Sequence, residues 1–231
     1  MLSASVTQKS SRKFFNISQD LPMKSAKEPL LRFNNSDVEI VSKTRKYQGF
    51  FALDEYQFRH KLYQGGYSET LTREVFERGD AVAVLPYDPI LDTVVLIEQF
   101  RPGALRSEFG PWQLELIAGM FGASEQPKDV AIREAKEEAD LTILPKNMTK
   151  VMNYLSSSGG MSECIHLYCA TVASENLSGV HGLACEGEDI LVHVMPRIDV
   201  IKLLNDGKIP NAATIIALQW LELNLDKLKT R

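Results

Sequence analysis

Long apolar stretches are missing from this sequence. Its apolar runs, such as the one around Val94–Ile97, extend over only a few residues, whereas a membrane-spanning helix needs about 20. The first residues also lack the apolar segment that a signal peptide requires. We therefore expect a protein without a membrane partner.

Cysteine and histidine are scarce. Three cysteines (Cys164, Cys169 and Cys185) occur among 231 residues, and none belongs to a Cys-x-x-Cys pair. This usage fits neither a zinc site nor a disulfide framework, and it favours reduced thiols in a cytoplasmic protein. The four histidines are scattered, without a serine or cysteine nucleophile arranged around them. A catalytic triad is therefore not expected.

A large excess of charge of either sign is also missing. The chain has 26 Lys and Arg residues against 30 Asp and Glu residues, which gives a net charge of −4 at pH 7. Such a chain has no overall positive field to hold nucleic acid. Hydrophobic residues make up 44% of the chain and charged residues 24%, as in ordinary globular proteins. A chain of this length can bury enough surface to form one sizeable domain.

The N-terminal segment, residues 1–28, differs from the rest in composition. It is rich in Ser and Lys, and Asp20 is its only acidic residue before Glu28. Because it shows no sustained hydrophobic periodicity, we predict a flexible leader. An organellar transit peptide is the alternative, since acidic residues are scarce and Ser is common.

Alternating apolar and polar residues follow the leader. Three segments show this pattern and are separated by the turn signals Gln48-Gly49 and Gly65-Gly66. The segments are Val38–Val41, Phe50–His60 and Ser68–Arg78. They predict an antiparallel β-meander that forms an N-terminal β subdomain over residues 37–78.

Residues 79–231 change character and are predicted to form the catalytic domain. Ala81–Leu85 and Val94–Ile97 are apolar throughout, which is typical of central strands buried on both faces. Further strands are predicted over residues 114–118, 149–155, 165–172 and 190–195. Helices are predicted over residues 127–139 and 197–206, and from residue 211 onward.

Three glutamates share one face of the predicted helix over residues 127–139. Glu134, Glu137 and Glu138 lie at i, i+3 and i+4, where like charges repel one another. A hard divalent cation would relieve that repulsion, and Mg²⁺ usually shares its coordination shell with substrate phosphates. The pattern therefore predicts metal-assisted attack on a phosphate ester or anhydride. Glu125 is a candidate fourth carboxylate, and a solvated acidic face paired with neighbouring Lys and Arg is the alternative.

The longer stretch Gly119–Leu141 resembles the signature of the Nudix hydrolase family, G-x5-E-x7-R-E-U-x-E-E-x-G-U, in which U is an aliphatic residue. The matching residues are Gly119, Glu125, Arg133, Glu134, Ala135, Glu137, Glu138 and Leu141. Asp140 stands where the family has the glycine that ends the helix. Asp tolerates the left-handed conformation of that position better than most residues, so we expect a small local effect.

The resemblance implies a fold and an activity. The fold is α/β: a Nudix α/β/α sandwich on a mixed sheet, with an N-terminal antiparallel β-meander that is often exchanged across a homodimer. Segments such as Tyr47–Phe51, Glu115–Met120 and Ser178–Ile190 resemble the bacterial branch of the family that hydrolyses ADP-ribose. That branch implies Mg²⁺-dependent hydrolysis of the pyrophosphate of ADP-ribose to AMP and ribose 5-phosphate, with Mn²⁺ as an alternative metal.

Two other functions stay open. Ser158 stands where ADP-ribose hydrolases often have proline, which leaves another nucleoside diphosphate sugar, such as GDP-mannose, as an alternative substrate. A catalytically inactive module that binds a nucleotide is the alternative from a different class. The retained glutamates argue against that module, because a sensor has no need of metal ligands.

The resemblance also assigns roles to individual residues. The metal ligands that it implies are the Ala118 carbonyl and the carboxylates of Glu134, Glu137, Glu138 and Glu188. It makes Glu186 the candidate general base that activates water. The candidate substrate-binding residues are Phe50, which would stack on adenine from the partner subunit, Arg73, Arg101 and Met120, with Arg78 as a less favoured third arginine. Arg133 and Glu115 are expected to form a structural pair.

Overall fold

The computed structural model describes residues 30–229 of the chain. The predicted leader over residues 1–28 lies outside the described residues. In the part that is described, no helix is both long and apolar enough to cross a membrane.

Eleven strands and three α-helices make up the described part of the chain. The strands are β1 (Val38–Gln48), β2 (Ala52–His60), β3 (Leu71–Glu77), β4 (Asp80–Asp88), β5 (Thr93–Phe100), β6 (Trp112–Glu115), β7 (Ile117–Phe121), β8 (Met148–Leu155), β9 (Cys164–Thr171), β10 (Val180–His181) and β11 (Ile190–Pro196). The helices are α1 (Pro127–Ala139), α2 (Arg197–Asn205) and α3 (Ala212–Lys229).

The first three strands form an antiparallel sheet in the order β1-β2-β3, so the predicted meander is confirmed. The second strand begins at Ala52 rather than at Phe50. The Gly49 N–H donates to the Phe51 carbonyl at 2.8 Å and closes a turn, which leaves Phe50 outside the strand. The third strand begins at Leu71 rather than at Ser68. At both places the alternation of apolar and polar residues begins before the hydrogen-bonded ladder of the sheet, so the pattern predicted a strand that starts too early.

The second sheet has eight strands and is mixed. Its order is β10-β11-β5-β4-β9-β8, and β4 and β9 form a parallel pair while the other neighbours are antiparallel. β4 and β5 pair with each other only at Tyr87 and Asp88. Beyond that point the two strands diverge, and β6 and β7 occupy the opening.

The single strand predicted over residues 114–118 is wrong, because two strands lie there. β6 pairs with β5, with Glu115 opposite Ile97, whereas β7 pairs with β4, with Ala118 opposite Ala83. The chain crosses between them at Leu116, which is buried. A short apolar run does not reveal that its two ends belong to different partners.

Helices cover both faces of this sheet, which confirms the α/β/α sandwich. Val82 and Val84 belong to the core under α1, and the alternate residues Ala83 and Leu85 belong to the core under α2 and α3. A strand that is covered on both faces reads as a continuous apolar run, as the sequence predicted for β4 and β5.

α1 occupies the residues predicted for it and ends at Ala139, with Asp140 as its C-cap. Asp140 adopts φ 49° in the left-handed region, as expected for the residue that replaces the family's glycine. The Leu141 N–H donates to the Ala135 carbonyl at 2.9 Å, and the Asp140 N–H donates to the Lys136 carbonyl at 3.1 Å. These two bonds satisfy the last carbonyls of the helix. The helix that carries the acidic residues therefore ends normally.

Candidate active site

A cleft of about 430 Å³ opens between α1, β7 and the loop that precedes β11. The predicted site residues that line it are Phe50, Arg101, Ala118, Met120, Glu134, Glu137, Glu138, Glu186 and Glu188. Residues more than 130 positions apart in sequence thus share one cavity. A second cavity of about 560 Å³ shares Arg78 and Arg101 with the first.

Glu134 and Glu138 lie in the buried wall of the cleft. Glu138 is 3% exposed, and its Oε2 accepts a hydrogen bond from the Ala118 N–H at 3.0 Å. Burial raises the pKa of Glu134 to about 7 and that of Glu138 to about 8. The charge of Glu188 contributes to both increases. Such perturbed carboxyl groups in a cleft are typical of functional sites.

Gly119 explains how Glu134 reaches this wall. A Cβ atom built at Gly119 would lie 2.0 Å from Glu134 Oε1, far inside van der Waals contact. Glycine therefore lets the carboxylate of α1 lie directly against β7. This contact explains why the signature begins with glycine.

Arg133 pairs with two of the glutamates. It lies 2.9 Å from Glu134 Oε1 and donates to Glu137 Oε2 at 2.8 Å. The predicted structural pair of Arg133 with Glu115 is wrong. Glu115 instead accepts hydrogen bonds from Arg101 Nε at 2.8 Å and Asn211 Nδ2 at 3.1 Å. The reason is the separate strand β6, which carries Glu115 to the side of the cleft next to the start of α3.

The loop before β11 brings two further carboxylates to the cleft. The Gly182 N–H donates to the Glu137 carbonyl at 3.2 Å, which ties the loop to α1. Glu188 Oε2 accepts from the Leu183 N–H at 2.9 Å. Gly182 has φ 104°, and a Cβ there would lie 2.7 Å from the Cβ of Glu188. Glu186 follows in the same loop and lines the cleft.

The donor set fits a hard divalent cation. Among residues 30–229, no three His, Cys, Asp or Glu side chains already stand in the geometry of a metal site; Arg133 and backbone N–H groups hold the carboxylates instead. However, buried carboxyl groups with raised pKa values that repel one another are the groups that Mg²⁺ stabilises in ionised form. The residues that would hold the cation are Glu134, Glu138 and Glu188.

Glu125 does not belong to this set. Its Oε2 accepts from the Gly122 N–H at 2.8 Å, and the residue does not line the cleft. The structure therefore assigns the predicted fourth carboxylate to the turn that precedes α1.

Of the three candidate arginines, Arg101 and Arg78 line the cleft and Arg73 does not. Arg101 lines the cleft and is fixed by Glu115. Arg78, the less favoured candidate, also lines it, and its guanidinium lies over the Phe51 ring at 5.1 Å. Arg73 is exposed on β3 and donates to the carbonyl of its neighbour Thr72 at 2.7 Å. It does not line the cleft of its own chain, so its role stays a prediction.

The rim of the cleft carries apolar side chains. Phe50 is 85% exposed and packs edge-on against Phe51 at 4.8 Å between ring centroids, so it is not part of a meander core. Met120 is partly exposed on β7. Gln99 also lines the cleft, and sequence reasoning assigned it no role, because a single amide inside an apolar strand carries no motif.

The fold and this cleft define a hydrolase of the Nudix class. The model of the NUDIX domain matches residues 68–218, and the chain belongs to the Nudix family. The match covers the signature around α1 and all eight strands of the second sheet.

Characterised relatives match over most of their length. The ADP-ribose pyrophosphatase of Escherichia coli (strain K12) is 48% identical over 85% of this chain and 93% of its own. The ADP-ribose pyrophosphatase of Haemophilus influenzae is 46% identical over 85% of this chain and 91% of its own. The GDP-mannose pyrophosphatase of Pectobacterium atrosepticum is 33% identical over 80% of this chain and 94% of its own.

A solved structure supports the fold. The crystal structure of an ADP compounds hydrolase superimposes with a TM-score of 0.62 at 18% identity, covering 84% of this chain and 97% of that chain. At this identity the likeness concerns the fold alone.

Proposed function

We propose that this protein hydrolyses the pyrophosphate of ADP-ribose to AMP and ribose 5-phosphate and that it requires Mg²⁺, with Mn²⁺ as a substitute. The observation that carries the proposal is the cleft that half-buried Glu134, buried Glu138 and Arg101 line together. The cleft thus combines carboxylates, which can bind a cation, with a guanidinium group, which can bind phosphate. Two relatives above 45% identity, from Escherichia coli and Haemophilus influenzae, are ADP-ribose pyrophosphatases, and they support the choice of substrate.

The glutamates of the cleft have two roles in this proposal. Glu134, Glu138 and Glu188 hold the metal together with the Ala118 carbonyl, and Glu137 lies beside them. The bound metal would neutralise phosphate charge and lower the pKa of water. Glu186 accepts the proton of the attacking water, because it is a carboxylate at the mouth of the same cleft.

Arg101 binds the diphosphate. Its Nε is held by Glu115 at 2.8 Å, so part of the guanidinium is oriented before substrate arrives. A planar guanidinium fits phosphate oxygens better than an ammonium group does. The adjoining cavity of about 560 Å³ provides room for the part of the substrate beyond the diphosphate.

A homodimer completes the site in this proposal. Phe50 stacks on adenine from the partner subunit, with Arg73 and Met120 as further substrate contacts. The exposure of Phe50 and of β1 supports this arrangement, because aromatic and aliphatic side chains on an edge strand favour association. We place the protein in the cytoplasm, with neither nucleic acid nor membrane as a partner.

GDP-mannose is the second candidate substrate. Ser158 in the Ser157–Met161 turn differs from the proline of many ADP-ribose hydrolases, and the Pectobacterium atrosepticum relative is a GDP-mannose pyrophosphatase. The identity of 33% for that relative against 48% for the Escherichia coli relative favours ADP-ribose.

Initial rates on both substrates test the proposal. Release of AMP from ADP-ribose and of GMP from GDP-mannose would be measured with and without Mg²⁺, with Glu138→Gln as the inactive control. We expect faster, Mg²⁺-dependent turnover of ADP-ribose. Faster turnover of GDP-mannose would reverse the choice of substrate, and tight binding of ADP-ribose without any turnover would establish the inactive module instead.

A further inference from the structure

Two buried side-chain nitrogens in the described part of the chain, Gln99 Nε2 and Arg78 Nε, have no hydrogen-bond partner. Both residues line the active-site cleft. Arg78 Nε still lies 3.1 Å from Glu163 Oε1, so it has a partner of opposite charge. The amide of Gln99 has no such compensation. Folded proteins pair the large majority of such groups, and an unpaired donor in the interior costs stability.

Gln99 lies in the wall of the cleft, on the same side as the glutamates of α1. Gln99 lies on β5 and is 8% exposed. Ile97, two residues earlier, packs in the core under α1. Residues two apart share one face of a strand, so Gln99 lies on the face that carries α1, at the point where the core gives way to the cleft. Glu134 and Glu138 of α1 line the same cavity.

A second buried glutamine, Gln113, has a structural role and provides a comparison for Gln99. Gln113 on β6 stands directly opposite Gln99 in the register and is 6% exposed. Its Nε2 donates to the Gly110 carbonyl at 2.5 Å. Two glutamines of similar burial on neighbouring strands thus differ in one respect: the protein itself pairs the amide nitrogen of Gln113 and leaves that of Gln99 unpaired.

We infer that Gln99 binds the substrate, with its Nε2 donating a hydrogen bond to a non-bridging oxygen of the diphosphate. This inference rests on the proposed function. Hydrogen bonds to an ionised acceptor are about twice as strong as those between neutral groups, so a phosphate oxygen is the acceptor that best satisfies the donor. A strand holds the amide in place, which makes the donor ready before binding. Arg101, two residues further along, provides the charged contact to the same diphosphate.

Three variants test the inference: Gln99→Met, Gln99→Glu and the matched control Gln113→Met. For each, kcat and KM for ADP-ribose at saturating Mg²⁺ and Tm without substrate would be measured. Gln99→Met removes the unsatisfied donor and keeps a side chain of similar length, so we expect an unchanged or higher Tm and a kcat/KM about tenfold to a hundredfold lower. Gln99→Glu replaces the donor with an acceptor, and its kcat/KM falls at least as far. Gln113→Met lowers Tm and keeps the wild-type kcat/KM.

The inference is overturned if either Gln99 variant retains wild-type kcat/KM, or if Gln99→Met loses activity only in proportion to a fall in Tm. A weaker Mg²⁺-induced rise in Tm without substrate, combined with an unchanged KM, would place Gln99 at the metal and also overturn it. The activity of the wild-type protein on the two substrates tests the proposed function independently of the Gln99 variants. If the wild type cleaves GDP-mannose rather than ADP-ribose, the same variants are compared on GDP-mannose, because both substrates carry the diphosphate.

Discussion

Two buried carboxylates, Asp54 in the three-stranded sheet and Glu138 on α1, meet opposite conditions. Asp54 in the three-stranded sheet is fully buried and paired with Lys43 and Arg45. Hydrogen bonds from Arg45 and Lys43 hold its pKa below the ordinary value. Glu138 in the cleft is almost as buried, yet among residues 30–229 no Lys or Arg forms an ion pair with it, and burial raises its pKa to about 8.

The difference separates a structural acid from a functional one. The N-terminal sheet supplies the counter-ions of Asp54 from its own β1, so this charge is neutralised as soon as the sheet forms. The cleft keeps Glu138 without a counter-ion and collects further negative charges around it. A buried charge without a partner is costly, and a protein gains from keeping one where an external cation binds.

Exchanging each acid for its amide gives the largest expected contrast. Glu138→Gln keeps an acceptor for the Ala118 N–H but removes the charge of a carboxylate that we propose as a metal ligand, so we expect kcat to fall by more than about 100-fold. The Tm of the metal-free protein should stay the same or rise at pH 8, since the buried charge is gone. Steady-state kinetics and thermal unfolding measure both effects.

Asp54→Asn is the matched variant. It leaves Lys43 and Arg45 without their buried partner, so Tm should fall, while kcat of the folded protein stays near that of the wild type. Near-normal turnover of Glu138→Gln, or a severe loss of kcat in a folded Asp54→Asn, would contradict the division between the two acids.

Gly119→Ala should disturb the cleft without touching its charges. The added Cβ overlaps Glu134 Oε1, and the flexible carboxylate moves away rather than the strand. We expect Mg²⁺ affinity to fall about 10- to 100-fold, with little change in Tm. Titration of Mg²⁺ by activity and by thermal shift measures this. Gly103→Ala, where a Cβ meets no atom within 4 Å, is the control and should bind Mg²⁺ normally.

The pH dependence of stability should show the same contrast. The folded-state pKa values of Glu134 and Glu138 are raised to about 7 and about 8, above the unfolded value of about 4.3. Their favourable contribution is therefore complete below about pH 4 and is lost as the pH rises toward about 8. The Tm of the metal-free protein should therefore fall as the pH rises across this range. Addition of Mg²⁺ should raise the Tm by more at pH 8 than at pH 6. An effect of Mg²⁺ on Tm that does not grow with pH would argue against these two acids as ligands.

Asp140→Gly should have the smallest effect. Glycine adopts the left-handed φ of this position without strain, which stabilises the protein by about 1 kcal/mol or less. The loss of the exposed pair with Lys136 offsets part of that gain. Chemical denaturation and kcat would be compared, and kcat should not change. A large change in kcat would show that the end of α1 controls the carboxylates.

Local sequence patterns predicted much of the fold. Pro127 at the first turn and alanines four residues apart sufficed to predict α1, and continuous apolar runs sufficed to predict β4 and β5. The prediction over residues 114–118 failed, because the choice of partner strand depends on where β4 and β5 diverge. The pairing of Glu115 with Arg101 instead of Arg133 was missed for the same reason.

The sequence by itself determined that three glutamates share one face of α1, because a helix repeats every 3.6 residues. The tertiary structure alone decided which groups join them. It placed Glu186 and Glu188 opposite α1, brought Arg78 rather than Arg73 to the cleft, and left the amide of Gln99 unpaired there. Contacts of this kind depend on how strands and loops pack in space, and residues distant along the chain carry no local periodicity that encodes them.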